Sequence, residues 1–268
     1  MSALVLRLEA APAQPVDVSP LRPDLLAGLD EKAVASIQLQ SGNRKIALGE
    51  LFRITMGDPD HLVVEGCTAK LQRLGAGLAF GRIEAYGDAG PYLGLGMSGG
   101  RIDLFGSAGI FAASGLAGGF VNIEGDAGHM LAAARSGETA GTRGGAVFVH
   151  GRAGDRVGER MRRGIVLVRG EIGVYAATSM IGGTVIARTA GAAAGYGMRR
   201  GTLLFQRPPR ELLATFADSG AHDLGWIRML NAHLQGLGWT GTLPAVRQRR
   251  LTGCLSEGGA GEILIDAG

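Results

Sequence analysis

The chain has 268 residues and a formal net charge of +3; 46% of its residues are hydrophobic and only 5% are aromatic. This composition excludes an intrinsically disordered chain. Its 47 glycines exceed twice the usual share of about 7%, but only 9 prolines and the missing Gly-X-Y period exclude collagen and a proline–glycine linker.

The two cysteines, Cys67 and Cys254, show no metal-ligand spacing, so we expect a reduced, cytoplasmic chain. The first residues, MSALVLRLEAAPAQP, lack the basic and long apolar regions of a signal peptide. No apolar run reaches membrane-spanning length. We expect no membrane partner, and we likewise expect no nucleic acid.

Residues 1–60 are predicted to form an N-terminal cap segment. LVLRLE alternates like a strand, and a short helix is expected near Pro23–Leu29, capped by Gly28 or Asp30. The stretch IALGELFRITMGD then leads into a series of repeats. A stack of repeats needs a cap because an exposed terminal strand pairs with other chains.

Eight short, strand-like hexamers begin at regular intervals between His61 and Thr202. Successive hexamers start 21, 19, 19, 26, 19, 19 and 18 residues apart. They are HLVVEG, RIEAYG, RIDLFG, FVNIEG, AVFVHG, IVLVRG, TVIART and TLLFQR. Their second and fourth positions are always apolar, so these side chains are expected to point into one interior.

Small residues recur at two further points of each repeat. One position holds Gly94, Ala113, Ala132, Gly158 and Ala177, and each repeat closes with a glycine at Gly81, Gly100, Gly119, Gly145, Gly164, Gly183 and Gly201. Units this short hold two or three strands joined by glycine corners, which need positive φ. Stacked about 4.8 Å apart, they predict an all-β fold. Specifically, we predict a right-handed parallel β-helix of about seven coils over residues 61–206, with a small N-terminal cap and a C-terminal helix.

The repeat pattern explains three local features. The 26-residue copy, Phe120 to Gly145, predicts a loop that projects around AAARSGETAG. GLGMSG matches a dinucleotide-binding fingerprint, but a strand rather than a helix follows it, so we interpret it as a turn. Met161 is interpreted as one member of an interior apolar ladder, whose other members are Leu78, Met97, Leu116, Thr142, Met180 and Met198.

Residues 207–268 are predicted to be a helical and extended C-terminal segment. AHDLGWIRMLNAHLQGLGW indicates an amphipathic helix, with apolar residues at Leu224, Ile227, Leu230, Leu234 and Leu237. The outward third position of the hexamer becomes apolar in later repeats, at Phe148, Leu167, Ile186 and Leu204. This face needs a cover, and we expect the C-terminal helix to supply part of it, with a partner subunit as the alternative.

No catalytic residue and no metal ligand is predicted on this chain. The sequence holds no HxH, HExxH or CxxC pattern, and His222 and His233 are expected to be surface or packing residues. One column of the repeat holds Asp88, Ser107, Asp126, Arg152 and Glu171. Acidic ladders serve in polysaccharide-active β-helix enzymes, but this column mixes charges and forms no carboxylate trio, so a glycosidase or lyase is disfavoured.

Several motifs together resemble a known family. They are G-x-x-G-x-x-x-G turns (Gly87/Gly90/Gly94 and Gly151/Gly154/Gly158), GM-x-GG repeat ends, the LGELFRITMGD lead-in and the tail LTGCLSEGGAGEILI. Over roughly residues 40–268, the chain resembles the C subunit of formylmethanofuran dehydrogenase and, more narrowly, the C subunit of the bacterial formyltransferase/hydrolase complex. The turn motif alone also resembles the C-terminal β-helix domain of the glutamate synthase large subunit.

This resemblance implies a non-catalytic scaffold subunit of a complex in one-carbon metabolism. In the bacterial complex, a formyl group passes from formyl-tetrahydromethanopterin to a methanofuran-like carrier and is hydrolysed to formate on other subunits. The implied partners are an amidohydrolase-like metal-dependent subunit, a formyltransferase subunit and a further structural subunit. No cofactor is implied for this chain alone; the carrier and tetrahydromethanopterin belong to the whole complex.

The residue usage favours the bacterial complex. Arginine, alanine and glycine are abundant and lysine occurs only three times, which is typical of an aerobic bacterium with a GC-rich genome. The alternatives are the C subunit of a tungsten or molybdenum formylmethanofuran dehydrogenase, a glutamate synthase-type domain, and a free-standing β-helix enzyme.

The basic excess lies in one segment. The net charge is −4 over residues 1–142, +9 over 143–210 and −2 over 211–268. The arginines that the repeat leaves unexplained are Arg160, Arg162, Arg163, Arg169, Arg199 and Arg200. We interpret them first as a partner interface or a solvated face. The second interpretation is a site for the carrier, because the resemblance implies a glutamyl-bearing, anionic carrier and equivalent positions two repeats apart lie about 10 Å from each other.

Overall fold

The structure is a computed structural model that describes residues 2–267. Strands dominate and helices are few, which confirms the predicted all-β class. The N-terminal elements are β1 (Ala3–Leu8), β2 (Val16–Asp17), α1 (Pro23–Leu26), α2 (Glu31–Ala35), β3 (Gln38–Ser41), β4 (Arg44–Ala47), α3 (Leu48–Leu51) and β5 (Phe52–Thr55).

The repeats and the C-terminal segment supply the remaining elements. The repeats contain β6 (Asp58–Cys67), β7 (Leu71–Gln72), β8 (Arg82–Gly87), β9 (Arg101–Phe105), β10 (Phe120–Ile123), β11 (Arg143–Val149), β12 (Arg163–Val168), β13 (Glu171–Ile172), β14 (Thr184–Ala187), β15 (Thr189–Ala190) and β16 (Arg200–Phe205). The C-terminal elements are β17 (Ala217–Asp223), α4 (Trp226–Gly236), β18 (Arg247–Gly253), a 3₁₀ turn (Leu255–Glu257) and β19 (Ala260–Asp266).

One sheet of thirteen strands runs through all the repeats. Its order is β17-β18-β19-β16-β14-β12-β11-β10-β9-β8-β6-β1-β5. From β6 to β16 the neighbours are parallel, and the hexamers pair position by position, so that Leu62 lies beside Ile83 and Ile83 beside Ile102. The spacing read from the sequence is therefore the pairing register of the sheet.

A second line of parallel bridges joins the repeats after each sheet strand. It runs through Ala89, Ala108, Ala127, Ala153 and Ile172, and β13 pairs with β15 in the same direction. Near the N-terminus, a smaller sheet has the order β4-β3-β2-β7. Each repeat is thus tied to the next at more than one place along its length.

The interior of the stack consists of the columns that the hexamers predicted. The second and fourth hexamer positions are buried in every repeat, and so is the ladder that contains Met161. Thr142 is the polar member of that ladder, and its hydroxyl donates to the carbonyl oxygens of Ala132 at 2.9 Å and Ala113 at 3.2 Å. Hydrogen bonding thus lets a polar side chain occupy an apolar column.

The repeat-closing glycines confirm the prediction of positive φ. Gly119 has φ +84°, and a Cβ there would lie 2.7 Å from the carbonyl oxygen of Gly100. Gly106 shows a second requirement, because a Cβ there would lie 2.2 Å from the carbonyl oxygen of Gly87. Some glycines therefore form left-handed corners, whereas others let the backbones of neighbouring repeats approach closely.

The N-terminal segment differs from the prediction in its helices. The helix expected near Pro23–Leu29 ends at Leu26, and Asp30 does not cap it. Asp30 instead starts a second helix, α2, and its carboxylate accepts a hydrogen bond from the backbone N–H of Ala33 at 2.7 Å. The expected strand is present as β1, which pairs in parallel with β6 and antiparallel with β5.

The C-terminal helix is present but shorter than predicted. The residues Ala221 to Asp223, expected at its start, lie in strand β17, and α4 begins at Trp226. The prediction that the C-terminal helix covers part of the apolar outward face is confirmed. Ile227, Leu234 and Trp239 pack in one buried cluster with the sheet residues Phe120, Ala146, Phe148, Leu167, Ile186, Leu204 and Leu264.

The sheet continues beyond the repeats at both ends. β1 precedes position 61 and β19 follows position 206, yet both pair in parallel with strands of the repeats. The division into segments 1–60, 61–206 and 207–268 stays a prediction. No helix among residues 2–267 has the length and apolarity needed to cross a bilayer.

Candidate interaction surfaces

The mixed column that begins at Asp88 links successive repeats through backbone hydrogen bonds. The Asp88 carboxylate accepts from the N–H of Ser107 at 2.8 Å, and the Ser107 hydroxyl accepts from the N–H of Asp126 at 3.1 Å. The Asp126 carboxylate accepts in turn from the N–H of Arg152 at 2.7 Å. These oxygens satisfy backbone donors at the turns, which is a structural use of the column.

The histidines also take part in contacts within the fold. His129 Nδ1 accepts from the N–H of Asp155 at 2.9 Å, and His150 packs its ring against Trp239 with centroids 5.1 Å apart. His222 and His233 are exposed, on β17 and α4, as predicted for surface residues. Across the described part of the chain, no three His, Cys, Asp or Glu side chains are grouped so as to hold a metal ion.

Arg162 and Arg199 occupy the same point of their repeats. The N–H of Arg162 donates to the carbonyl oxygen of Thr142 at 2.8 Å, and that of Arg199 donates to Met180 at 2.9 Å. Ile181 takes this position in the repeat between them. Arg162, Arg163, Arg199 and Arg200 are all exposed, so their side chains are available at one end of the sheet strands.

Arg143 belongs to the same line and was missed in the sequence. Its N–H donates to the carbonyl oxygen of Leu116 at 2.6 Å, the equivalent contact one repeat earlier. The sequence did contain a signal for Arg143. TRGG stands directly before the hexamer AVFVHG, just as MRRG stands directly before IVLVRG, so Arg143 aligns with Arg162. The line therefore has an arginine in three of four successive repeats.

Arg169 lies apart from the other arginines of the predicted set. It follows β12, whereas Arg163 begins that strand. A strand rises about 3.3 Å per residue, so roughly 20 Å separates the two backbones. The structure thus divides the predicted set into two groups at opposite ends of the strands.

Arg160 and Arg199 line one open cleft of about 260 Å³. Its other lining residues are Thr139, Ser179, Ile181, Gly197 and Glu257. Arg199 Nε lies 3.2 Å from a Glu257 carboxylate oxygen, and Arg160 donates to the carbonyl oxygen of Glu138 at 2.9 Å. Arg199 is therefore neutralised by Glu257 of the C-terminal turn, and Arg160 is hydrogen-bonded to the loop of the longest repeat.

That loop, predicted around AAARSGETAG, is held by its own ion pair. Arg135 Nε donates to the Glu138 carboxylate at 3.1 Å. The hydrogen bond from Arg135 lowers the pKa of the Glu138 carboxyl. The loop thus has a defined conformation beside the cleft.

The first half of the outward sheet face carries a network of paired charges. Asp103 is nearly fully buried and accepts from Arg82 at 3.0 Å and from Arg101 at 2.7 Å. Tyr86 and Phe105 stack at the edge of this network, with ring centroids 4.6 Å apart. Because the charges neutralise one another, the two exposed rings are the main apolar feature of this half.

A third surface follows one corner of the repeats and was also missed in the sequence. We call it the corner ladder; its members are Arg73, Tyr92, Phe111, Met130, Arg156 and Tyr175. Each has φ between 59° and 68°, in the left-handed region. Each backbone N–H donates to a carbonyl oxygen of the following repeat, at 2.8 to 3.0 Å. A left-handed conformation costs a residue other than glycine roughly 1–2 kcal/mol.

The corner ladder had a signal in the sequence. Each member from Tyr92 to Tyr175 stands two residues before the small residue of its repeat. Those small residues also have positive φ, for example 53° at Ala113 and 57° at Ala132, and they are buried. The inward left-handed position therefore holds glycine or alanine, while the outward one holds large side chains in every repeat but the last, which has Ala193.

Comparisons with known proteins place the chain among subunits of one type of complex. The C subunit of the formyltransferase/hydrolase complex Fhc of Methylorubrum extorquens is 40% identical over 88 residues, which cover 33% of this chain and 33% of that protein. The C subunit of the molybdenum-containing formylmethanofuran dehydrogenase 1 of Methanothermobacter marburgensis is 36% identical over 78 residues, covering 28% of this chain and 20% of that protein. The matched segments thus span a third or less of these curated relatives.

A solved structure matches over the whole length. The crystal structure of the formyltransferase/hydrolase complex FhcABCD from Methylorubrum extorquens, with methylofuran bound, contains a chain that is 38% identical, with a TM-score of 0.91. The match covers 98% of this chain and 100% of that one. No protein-family model matches the chain.

Proposed function

The chain belongs to the C-subunit family of formyltransferase/hydrolase and formylmethanofuran dehydrogenase complexes, and we propose that it is a non-catalytic scaffold subunit of a formyltransferase/hydrolase complex. The observation that carries this proposal is the match over 98% of the chain to a chain of the FhcABCD complex. That full-length match favours the bacterial complex over the archaeal dehydrogenases and over a glutamate synthase-type domain.

The proposed scaffold is a right-handed parallel β-helix of about seven coils. The parallel register from β6 to β16 supports it, and so does the second line of bridges from Ala89 to Ile172. The backbone hydrogen bonds made by Asp88, Ser107 and Asp126 support a structural use of the polar turn residues. A stiff stack of this kind holds partner subunits at fixed separations.

The proposed complex moves a formyl group from formyl-tetrahydromethanopterin to a methanofuran-like carrier and hydrolyses it to formate. In this proposal the chemistry belongs to an amidohydrolase-like metal-dependent subunit and a formyltransferase subunit, with a further structural subunit beside this one. The chain itself binds no cofactor and acts in the cytoplasm. The bound methylofuran in the related FhcABCD structure supports a carrier of this class.

The exposed arginines are proposed to contact a partner subunit, and the anionic carrier is the second candidate. The line formed by Arg143, Arg162 and Arg199 supports either role, because it exposes an arginine in three of four successive repeats, with Arg199 paired to Glu257. Arg160 and Arg169 are less suited to one extended ligand. Arg160 faces the cleft, and Arg169 lies at the other end of its strand.

Reconstitution of the complex tests the proposal. The remaining subunits of the same organism's complex are purified with and without this chain, and formate release from the formylated carrier is followed. We expect no formate release by the isolated chain and a stable, active assembly when it is present. Formate release by the isolated chain would overturn the proposal.

A further inference from the structure

We infer that the corner ladder is the surface on which another subunit of the complex docks, and that this subunit presents apolar side chains flanked by carboxylates. The inference rests on the proposed function, which makes the chain one subunit among several, and adds the surface used. It concerns the corner of the repeats, not the arginine line or the α4-covered sheet face.

The corner ladder presents partly exposed aromatic rings along one corner of the repeats. Tyr92 and Phe111 stack with ring centroids 5.3 Å apart. Ile110, which precedes Phe111, is 41% exposed, and Tyr175, three repeats further along the ladder, is 42% exposed. Tyr196 extends the surface in the last repeat, with its ring centroid 6.3 Å from that of Tyr175. At about 4.8 Å per repeat, the six rungs span roughly 25 Å, which is the scale of a protein interface.

The fold does not need large side chains at these positions. Glycine occupies a left-handed position without steric cost, and the other left-handed columns of the repeat use glycine or small residues at most places. The ladder instead holds two tyrosines, a phenylalanine and a methionine with positive φ, and their side chains point away from the core. Strained residues that serve no packing role are typical of binding surfaces.

Two arginines of the corner ladder indicate the charge of the occupant. Arg73 lies over the Tyr92 ring and Arg156 over the Tyr175 ring, each with its guanidinium carbon 5.7 Å from the ring centroid. Both arginines have one carboxylate of this chain nearby, Asp17 at 3.4 Å and Glu159 at 3.2 Å, yet remain about half exposed.

The corner ladder contains two arginines and no acidic residue. A second copy of this chain would bring the same two arginines to the contact. A different subunit with carboxylates around an apolar centre is complementary to this surface.

The test replaces the rings with the residue that the backbone favours. The variant Tyr92→Gly/Phe111→Gly/Tyr175→Gly relieves the left-handed strain, so we expect an unchanged or higher Tm for the isolated chain. Affinity for the other three subunits of the same organism's formyltransferase/hydrolase complex is measured by surface plasmon resonance on the immobilised chain. We expect it to fall at least 100-fold. If the glycine variant does not fold, Tyr92→Asn/Phe111→Asn replaces it, because asparagine also tolerates this conformation.

The control is Tyr86→Ser/Phe105→Ser, which removes a more exposed aromatic stack from the sheet face. Its affinity is expected to stay within threefold of the wild type. A charge variant, Arg73→Glu/Arg156→Glu, is expected to weaken binding at least tenfold and to reverse part of the salt dependence.

Each contrary result overturns the inference. Wild-type affinity of the glycine variant would do so, and so would an equal loss in the control. A loss confined to self-association in sedimentation velocity would make a second copy the occupant. If the wild-type chain binds none of the subunits, the proposed function fails too. If the wild type binds and the folded ladder variants bind equally well, the proposed function stands and the docking surface is wrong.

Discussion

Phe148 and Trp239 pack edge to face, with ring centroids 5.3 Å apart and ring planes at 71°. Phe148 belongs to β11 in the middle of the repeats, and Trp239 follows α4 in the C-terminal segment. Both rings are buried, with exposures of 1% and 4%. This contact attaches the C-terminal segment to the face of the sheet that the repeats leave apolar.

Replacing Trp239 with alanine is expected to destabilise the fold strongly. The change removes a buried aromatic side chain and leaves a cavity against Phe148, which costs about 3–5 kcal/mol. Guanidinium denaturation followed by circular dichroism measures the free energy of unfolding. Trp226→Ala is the matched control, because Trp226 is 39% exposed, and its cost is expected to stay below about 1 kcal/mol. Equal losses in the two variants would contradict the role assigned to Trp239.

Gly119→Ala tests the close approach of the repeats. The substitution forces an alanine into a left-handed corner and places its Cβ 2.7 Å from the Gly100 carbonyl oxygen. Gly96→Ala is matched to it, because Gly96 has φ +63° and no atom within 4 Å of the added Cβ. We expect about 1–2 kcal/mol for Gly96→Ala, the conformational cost alone, and a clearly larger loss for Gly119→Ala. Similar unfolding free energies in urea titrations would show that contact between repeats does not require glycine.

Substitutions of Asp126 distinguish a structural column from a catalytic one. Asp126→Asn keeps an acceptor for the N–H of Arg152, so the unfolding free energy is expected to change little. Asp126→Ala leaves that N–H without its partner and is expected to cost about 1 kcal/mol. Neither variant is expected to lower formate release by the assembled complex. A loss of more than tenfold in the rate with Asp126→Asn would instead identify the carboxylate as catalytic.

Cys67 makes the stability of the fold sensitive to alkaline pH. Burial raises the pKa of its thiol to about 12, whereas an exposed thiol titrates near about 8.5. Between the two pKa values, the folded chain keeps this proton and the unfolded chain has lost it. The stability that the buried thiol contributes is therefore complete below the pKa of the unfolded chain, and it is lost as the pH rises towards the pKa of the folded chain. Between about pH 9 and about pH 11, the unfolding free energy of the wild type is expected to fall more steeply than that of Cys67→Ala. The difference should approach about 1.4 kcal/mol per pH unit.

Parallel curves of unfolding free energy against pH for the wild type and Cys67→Ala would show that the Cys67 thiol ionises equally well in the folded and unfolded chains. The comparison is specific, because every other titrating group is common to both proteins. Urea denaturation at each pH, followed by circular dichroism, supplies the two curves.

Charge reversal separates the two roles proposed for the exposed arginines at the start of the sheet strands. The variant Arg162→Glu/Arg163→Glu/Arg199→Glu/Arg200→Glu is expected to prevent assembly with the partner subunits, because it reverses exposed charge in two repeats. If carrier affinity and its salt dependence change while assembly stays intact, the arginines bind the carrier instead. Arg169→Glu is the internal control for the carrier: because Arg169 lies at the opposite end of its strand, we expect unchanged carrier affinity.

The sequence predicted the repeat because hydrophobic side chains and glycines recur at positions fixed by strand pairing. The interior columns, from Leu62 to Leu203, needed only this spacing. The corner ladder was missed because hydrophobicity patterns carry no information on φ. Its signal is the fixed position of Tyr92 and Phe111, two residues before the small residue of their repeats. Helix α2 was missed because five residues are too few for a helical period. The separation of Arg169 from Arg163 depends on which end of a strand each occupies, which requires the strand's limits.

Native mass spectrometry of the complex purified through a tag on this chain tests the scaffold assignment most directly. We expect one stable assembly that contains this chain together with the amidohydrolase-like, formyltransferase and further structural subunits. We also expect the other subunits, expressed without this chain, not to form that assembly. Recovery of the chain alone, together with a fully assembled and active set of the other subunits in its absence, would contradict the account.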